Sequence, residues 1–227
     1  MLVTTSGGLV GGDELEVRVR AGPGSAALVT TQAAEKVYRS AGPDVRLDVA
    51  LEVGEGAWLE WLPQETILFD ASRLRRRTTL DLAAGARCLA AETVVFGRLA
   101  RGERLTRGLL HDAWTVRREG RPVWRDATRL DGDLSARLAA RAGFGGARAA
   151  ATLLFAADDA AGWLAPAREL IAAEGVQSGV TCLPGLLLAR WLADDPARLR
   201  RAFCAFYVGL RHGVAALPAR PPAPWLI

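Results

Sequence analysis

Hydrophobic and polar residues alternate along the first half of the chain. Leu15, Val17 and Val19 hold one parity while Glu14, Glu16, Arg18 and Arg20 hold the other. That period of two predicts a strand with one buried face. Leu47, Val49, Leu51 and Val53 repeat the pattern, and Leu80 and Leu82 follow Thr78. Each run ends in a glycine turn, at Gly22-Pro23-Gly24, Gly54-Glu55-Gly56 and Gly85, and a second apolar strand follows each turn. The units beginning at Leu15, Leu47 and Leu80 therefore share one plan. Gln32 and Gln64 stand 32 positions apart, and Glu65-Thr66 recurs as Glu92-Thr93 after 27. A degenerate period of about 30 residues predicts stacked units that complete one another's core. An ordinary antiparallel sandwich is the competing reading.

The character changes near Gly143-Phe144-Gly145-Gly146. A strand is predicted over 151–157, then a helix over 163–174 stopped by Gly175. Two strand-like runs follow, at 176–183 and 186–193. The last helix is capped by Asp194 or Asp195, takes Pro196 in its first turn and ends at Gly213. Leu199, Phe203, Phe206 and Leu210 fall on one of its faces and point to core contact. The tail from Pro218 to Ile227 reads as extended. The expected fold is mainly β, with stacked mixed sheets, β-helix-like repeats and two helices in the C-terminal third. Residues 1–150 make the stacked scaffold, and 151–227 a smaller α+β segment packed on it in one continuous domain.

Half of the 227 residues are hydrophobic and 24% are charged, the profile of a globular chain that buries a core. The formal net charge is +4, and Lys36 is the sole lysine. Arginine suits bidentate pairing with carboxylate or phosphate, but richness in Arg, Ala and Gly also follows from a GC-rich coding sequence. Cys88, Cys182 and Cys204 are odd in number and widely separated, as expected of reduced, buried thiols in a cytoplasmic protein. Neither a signal peptide nor a membrane-length apolar run is evident.

The two histidines, His111 and His212, are far apart and no Cys/His pair has ligand spacing, which argues against a preformed soft metal site. There is no nucleophile elbow. Gly7-Gly8 and Gly11-Gly12 resemble a phosphate loop in glycine content alone, because a strand follows and the Lys-Ser/Thr pair is missing. A tight backbone crossing is the better reading. Among the carboxylates, Asp13 closes the glycine block, Glu65 and Glu92 sit at similar places in successive units, and Asp70, Glu103 and Asp126 lie near strand ends. If stacking aligns Glu65 with Glu92, the two could act as acid and base on a glycoside. Spaced acids could instead pass a divalent cation between weak oxygen sites. Simple pairing with Arg73, Arg75, Arg76, Arg77, Arg98 and Arg101 is the third reading.

Several blocks stand out together: Ser6-Gly7-Gly8-Leu9-Val10-Gly11-Gly12-Asp13, the stretch from Thr30 to Arg39 with Gln32 and Lys36, and Leu59 to Asp70 with Glu65. Phe96-Gly97-Arg98, Arg101-Gly102-Glu103, Gly120-Arg121-Pro122-Val123, Thr152-Leu153-Leu154 and Pro224-Trp225 follow in order. Taken together they resemble one family, the urease accessory protein UreD (UreH). The resemblance implies a non-enzymatic maturation factor for nickel urease. It implies partners in UreF, the GTPase UreG and apo-urease, with no nucleic-acid or membrane partner. It also implies no tightly bound cofactor, with nickel held transiently, and carries Asp13, Glu92 and Asp126 over as nickel contacts. A metal-independent interaction scaffold is the further alternative. Members of the family carry a longer segment before the glycine block, where six residues precede Gly7 here. Without such a segment, a sheet edge is expected to stand uncovered.

Overall fold

The computed structural model describes residues 1–226. Its strands, in order, are β1 Glu14–Ala21, β2 Ala26–Val29, β3 Glu35–Val37, β4 Val45–Val53, β5 Trp58–Trp61, β6 Thr66–Leu68, β7 Arg73–Leu82 and β8 Arg87–Phe96. The hairpin β9 Arg107–Arg118 and β10 Arg121–Asp133 follows, leading into α1 Leu134–Ala139. Then come β11 Ala149–Ala156, α2 Leu164–Leu170, β12 Gln177–Leu183, β13 Leu186–Ala193 and α3 Pro196–Ala215.

The period near 30 is the pitch of a parallel coil. Glu14 pairs with Arg46 and Val45 with Leu74, so β1, β4 and β7 lie side by side in parallel. After each glycine turn the chain crosses to a second sheet, where β2, β5 and β8 stack in the same sense. Farther along the same second sheet, β3 pairs with β6, and β6 with the far half of β8. The result is one five-stranded sheet, ordered β1-β4-β7-β9-β10, and one eight-stranded sheet whose main path runs β12-β13-β11-β8-β5-β2. Antiparallel pairing enters at β9 with β10, and where β11 joins β8 along its whole length. Parallel coils thus replace the purely antiparallel sandwich.

The glycine block is a crossing. Gly8, at φ +149°, passes β3 so closely that a Cβ would sit 2.7 Å from the Lys36 carbonyl. A Cβ on Gly11 would lie 2.3 Å from Ser40 Oγ. Leu9 can therefore bridge to Val37, buried at the coil's end.

Two apolar clusters fill the space between the sheets, one around Leu51, Leu59, Trp61 and Leu154, the other around Leu68, Phe96, Leu110 and Leu130. A third lies between the eight-stranded sheet and the helices. There Leu199, Phe203, Phe206 and Leu210 of α3 are all buried, each adding about 1.5–3 kcal/mol of transfer free energy. Asp195 caps α3 by accepting from the Ala197 N–H, with Pro196 in the first turn. The helix continues through Gly213 to Ala215, because Gly213 packs against Trp163 instead of ending it.

The other helix is shorter than its pattern. A 3-10 turn over Ala160–Trp163 leads into α2, which stops at Leu170, before Gly175. The strand of 151–157 begins two residues earlier, at Ala149. Cys88 is buried, but Cys182 and Cys204 are only half-buried. The tail is not simply extended: Ala223–Trp225 form a 3-10 turn and Trp225 is buried, while Ile227 lies outside the described residues. No helix among the described residues is long and apolar enough to cross a membrane.

Candidate functional site

Strand parity decides which polar groups enter the interior. On β7, Leu74, Arg76, Thr78, Leu80 and Leu82 form the inward row; on β9, Leu110, Asp112, Trp114 and Val116 do. Arg76 pairs in register with Asp112, and Thr78 with Trp114. From the opposite sheet, β8 contributes Glu92, whose row continues to Thr152 on β11 and Arg190 on β13. A polar seam therefore runs between the two inter-sheet apolar clusters.

Arg76 is its centre. Its Nε donates to Asp112 Oδ1 at 2.9 Å, Nη2 donates to Asp112 Oδ2, and Nη1 donates to Thr66 Oγ1 at 3.2 Å. The same Nη2 is 3.0 Å from Glu92 Oε2, which also accepts from Trp114 Nε1 at 2.5 Å. Burial works against the Arg76 charge, but Asp112 and Glu92 hold the guanidinium firmly protonated. Burial pushes the Glu92 carboxyl up, to about 8, and the negative charge of Asp112 adds to this against the pull of Arg76. One arginine thus faces two carboxyl groups, and burial together with Asp112 favours the protonated form of Glu92.

Space adjoins the seam on both sides. A cavity of about 440 Å³ opens beside β1 and reaches Arg76, Thr78, Glu92 and Trp114. A smaller one, about 50 Å³, touches Glu92 and Asp112 and continues along Thr128 and Thr152. Asp126, directly across from Trp114 on β10, lies on the same side of its sheet at the solvent-open margin of the seam, where it accepts from Arg190 Nη2 at 2.6 Å.

Of the acids singled out in the sequence, Glu92 and Asp126 share this seam. Asp13 does not: it closes its own turn by accepting the Val10 N–H at 2.8 Å. Glu65 and Glu92 are not aligned, since Thr66 pairs with Val94 and Glu65 therefore falls beside Thr93. That shift of one residue sends their side chains to opposite faces of the sheet. Glu65 meets Arg200 of α3, whereas Glu92 meets Arg76. The paired-carboxylate arrangement for glycoside chemistry is thereby removed.

The remaining positions are structural fastenings. Asp70 accepts from the Thr106 N–H and Oγ1, each at 2.8 Å, and from the Arg107 N–H at 3.2 Å. Burial would raise its pKa, but these bonds hold it below the usual carboxylate range. Glu103 accepts from the Asp70 N–H at 3.3 Å and pairs with Arg98, which lies over the Phe69 ring at 4.4 Å. Gln64 is buried, and bridges Arg200 and the Pro224 carbonyl. Gln32 and Lys36 are exposed. Arg76 figured in the sequence only as one of six arginines able to pair with carboxylates, and the structure gives it that role with Glu92 and Asp112; Asp112, Trp114 and Arg190 escaped the reading, although Asp112 is visible as a polar residue interrupting an inward apolar row. Among the described residues, no three His, Cys, Asp or Glu side chains converge as a metal site.

Comparison with known proteins follows the whole chain. The UreD urease accessory protein family model matches residues 1–226. A relative from Magnetococcus marinus, named urease accessory protein UreD, is 49% identical over 230 residues, covering 99% of this chain and 79% of the relative. Relatives of the same name from Azorhizobium caulinodans and Methylobacterium sp. are 47% and 46% identical, each over 93% of this chain and 78% and 77% of their own length.

Proposed function

The chain belongs to the UreD urease accessory protein family, an accessory to urease rather than its catalyst, and from that membership we propose that it is a cytoplasmic scaffold in nickel delivery to apo-urease. In this reading it works in complex with a UreF-like protein and a UreG-like GTPase. Nickel is cargo, passed through the interior and not retained.

The observation that carries the proposal is the polar seam beside the cleft. Glu92 is a buried carboxyl held between Arg76 and Trp114, whose burial favours its protonated form, so a cation arriving there would exchange with a proton. Carboxylate and hydroxyl oxygens hold a divalent transition ion more weakly than thiolate or imidazole, which suits release over storage. Glu92 and Asp126 are the proposed contacts along the seam. Asp13 enters the proposal as a surface carboxylate two residues before Leu15, which lines the cleft.

The test is urease activation in a host carrying the urease structural and accessory genes, with this chain supplied, omitted, or carrying Glu92→Gln or Asp126→Asn. Activation that depends on the chain, and nickel loading that falls in the variants while partner capture persists, is the expected result. Equal activation without the chain would refute the accessory role. Unchanged loading in both variants would leave a metal-independent scaffold in place of the nickel path.

A further inference from the structure

Two short rows of polar side chains face each other between the sheets. On the five-stranded sheet, Arg76, Asp112 and Thr128 stand in register across β7, β9 and β10. On the eight-stranded sheet, Glu92, Thr152 and Arg190 stand in register across β8, β11 and β13. Neighbouring strands lie about 4.8 Å apart, so each row runs roughly 10 Å across its sheet. Four of the six residues, Asp112, Thr128, Glu92 and Thr152, line the same small cavity. At the outer end, Arg190 reaches across from one sheet to the other and donates to Asp126 at 2.6 Å.

The two arginines of this seam are held very differently. Arg76 has a side chain 7% exposed and is gripped by Asp112, Glu92 and Thr66. Arg190 is 53% exposed and Asp126 40%, and Asp126 is the one side-chain partner of Arg190 among the described residues. An ion pair so open to water is of small value, and it breaks and re-forms readily. The charges also count out unevenly. Three carboxyl groups, Asp112, Glu92 and Asp126, face two guanidinium groups, so one carboxyl is left over while Arg190 is in place. Without Arg190 there would be two, and Asp126 is near enough for its charge to act on Glu92. Oxygen sites hold a divalent cation more tightly as their carboxylate charge rises.

We infer that Arg190 is a tethered competing cation, which occupies Asp126 whenever no metal ion does and so keeps the seam a place of passage. The inference rests on the nickel path proposed above, and it names the residue that lets the ion leave. A metal ion reaching Asp126 displaces the guanidinium into the water it already half faces. When the ion departs, the guanidinium returns, so the Asp126 carboxylate exchanges one counter-ion for another and is not left bare. Arg190 itself does not touch the cargo; it is a positioning residue acting through Asp126.

Two readouts test this: nickel binding to the full chain, measured by competition with a chromophoric chelator, and urease activation in the host described above. Arg190→Gln frees Asp126. It should bind nickel about tenfold more tightly and release it more slowly, while urease activation falls. Binding and delivery then move in opposite directions, which a folding defect does not produce. Arg190→Lys keeps the competing charge and should return both readouts toward wild type. Arg190→Gln/Asp126→Asn removes the surplus carboxylate and should lose the gain in affinity. Wild-type affinity in Arg190→Gln, a gain that survives Asp126→Asn, or a fall in binding and activation together overturns the role of Arg190, even where Glu92→Gln and Asp126→Asn lower nickel loading. Unchanged loading in those two variants overturns the nickel path, and this inference with it.

Discussion

Arg76 stands between Leu74 and Thr78 on the inward row of β7, with its side chain 7% exposed and that of Asp112 4%. A buried charge that loses its partner costs far more than an intact buried pair contributes. Arg76→Met should therefore destabilise the fold by about 3–5 kcal/mol in urea unfolding at neutral pH. Glu92 gives a pH signature. Its folded pKa, about 8, lies above the ordinary 4.5, so between these values the folded state holds a proton that the unfolded chain has released. Stability must then fall as pH rises through that window, by on the order of a few kcal/mol. Glu92→Gln should flatten this slope, as thermal melts from pH 5 to 8.5 would reveal; parallel wild-type and variant curves would contradict it. The alternation that predicted β7 contained Arg76's placement, because its parity is that of Leu80. Grouped with Arg73, Arg75 and Arg77, it reads instead as a surface charge run. Glu65 and Glu92 failed for a related reason: similar dipeptides suggested a register that was wrong by one residue, and one residue reverses the face.

At the level of elements, α3 was the most legible, since its cap, its proline and its apolar stripe agree. Its end was misread because glycine has two uses in a helix. Gly213 does not stop α3; it admits Trp163, whose ring carbon would lie 2.7 Å from an added Cβ. Alanine at an exposed helical glycine normally gains up to about 1 kcal/mol. Gly213→Ala should instead lower stability by about 1–3 kcal/mol, the cost of overpacking against a ring. Gly209→Ala meets the flexible end of Leu170, which is 39% exposed and free to move aside. It should cost distinctly less, and denaturant midpoints of the two variants would separate the cases. Glu60 of β5 shows what no local pattern conveys. It is buried where it accepts from Trp58 Nε1 at 3.0 Å and Arg211 Nε at 2.8 Å, and pairs with the Tyr207 hydroxyl. Its partners on α3 lie about 150 positions away, and only the packed fold supplies them.

For the molecule as a whole, the coil pitch was visible as a period, while the face each second-sheet strand offers its neighbours was not. The tail was equally hidden. Trp225 stacks on Phe203 with ring centroids 5.4 Å apart, takes the Arg200 guanidinium over its ring at 4.6 Å, and donates from Nε1 to Thr30 Oγ1 at 3.2 Å. One side chain thus joins the first coil to α3. Trp225→Ala should cost about 3–5 kcal/mol as a buried large-to-small change. Hydrogen exchange should locate the loss at β2 and the N-terminal half of α3; a loss spread evenly over β9 and β10 would argue against this bridging role.

The Thr30–Trp225 contact spans 195 positions, against roughly thirty for each coil-to-coil ladder. Stacked coils can nucleate at any neighbouring pair and grow outward, whereas the longest loop carries the greatest closure entropy. The tail is therefore expected to latch last, after the folding barrier has been crossed. An interaction absent from the transition state leaves the folding rate almost untouched and acts on the unfolding rate. The Trp225 clasp thus governs how long the assembled chain persists far more than how quickly it first takes shape.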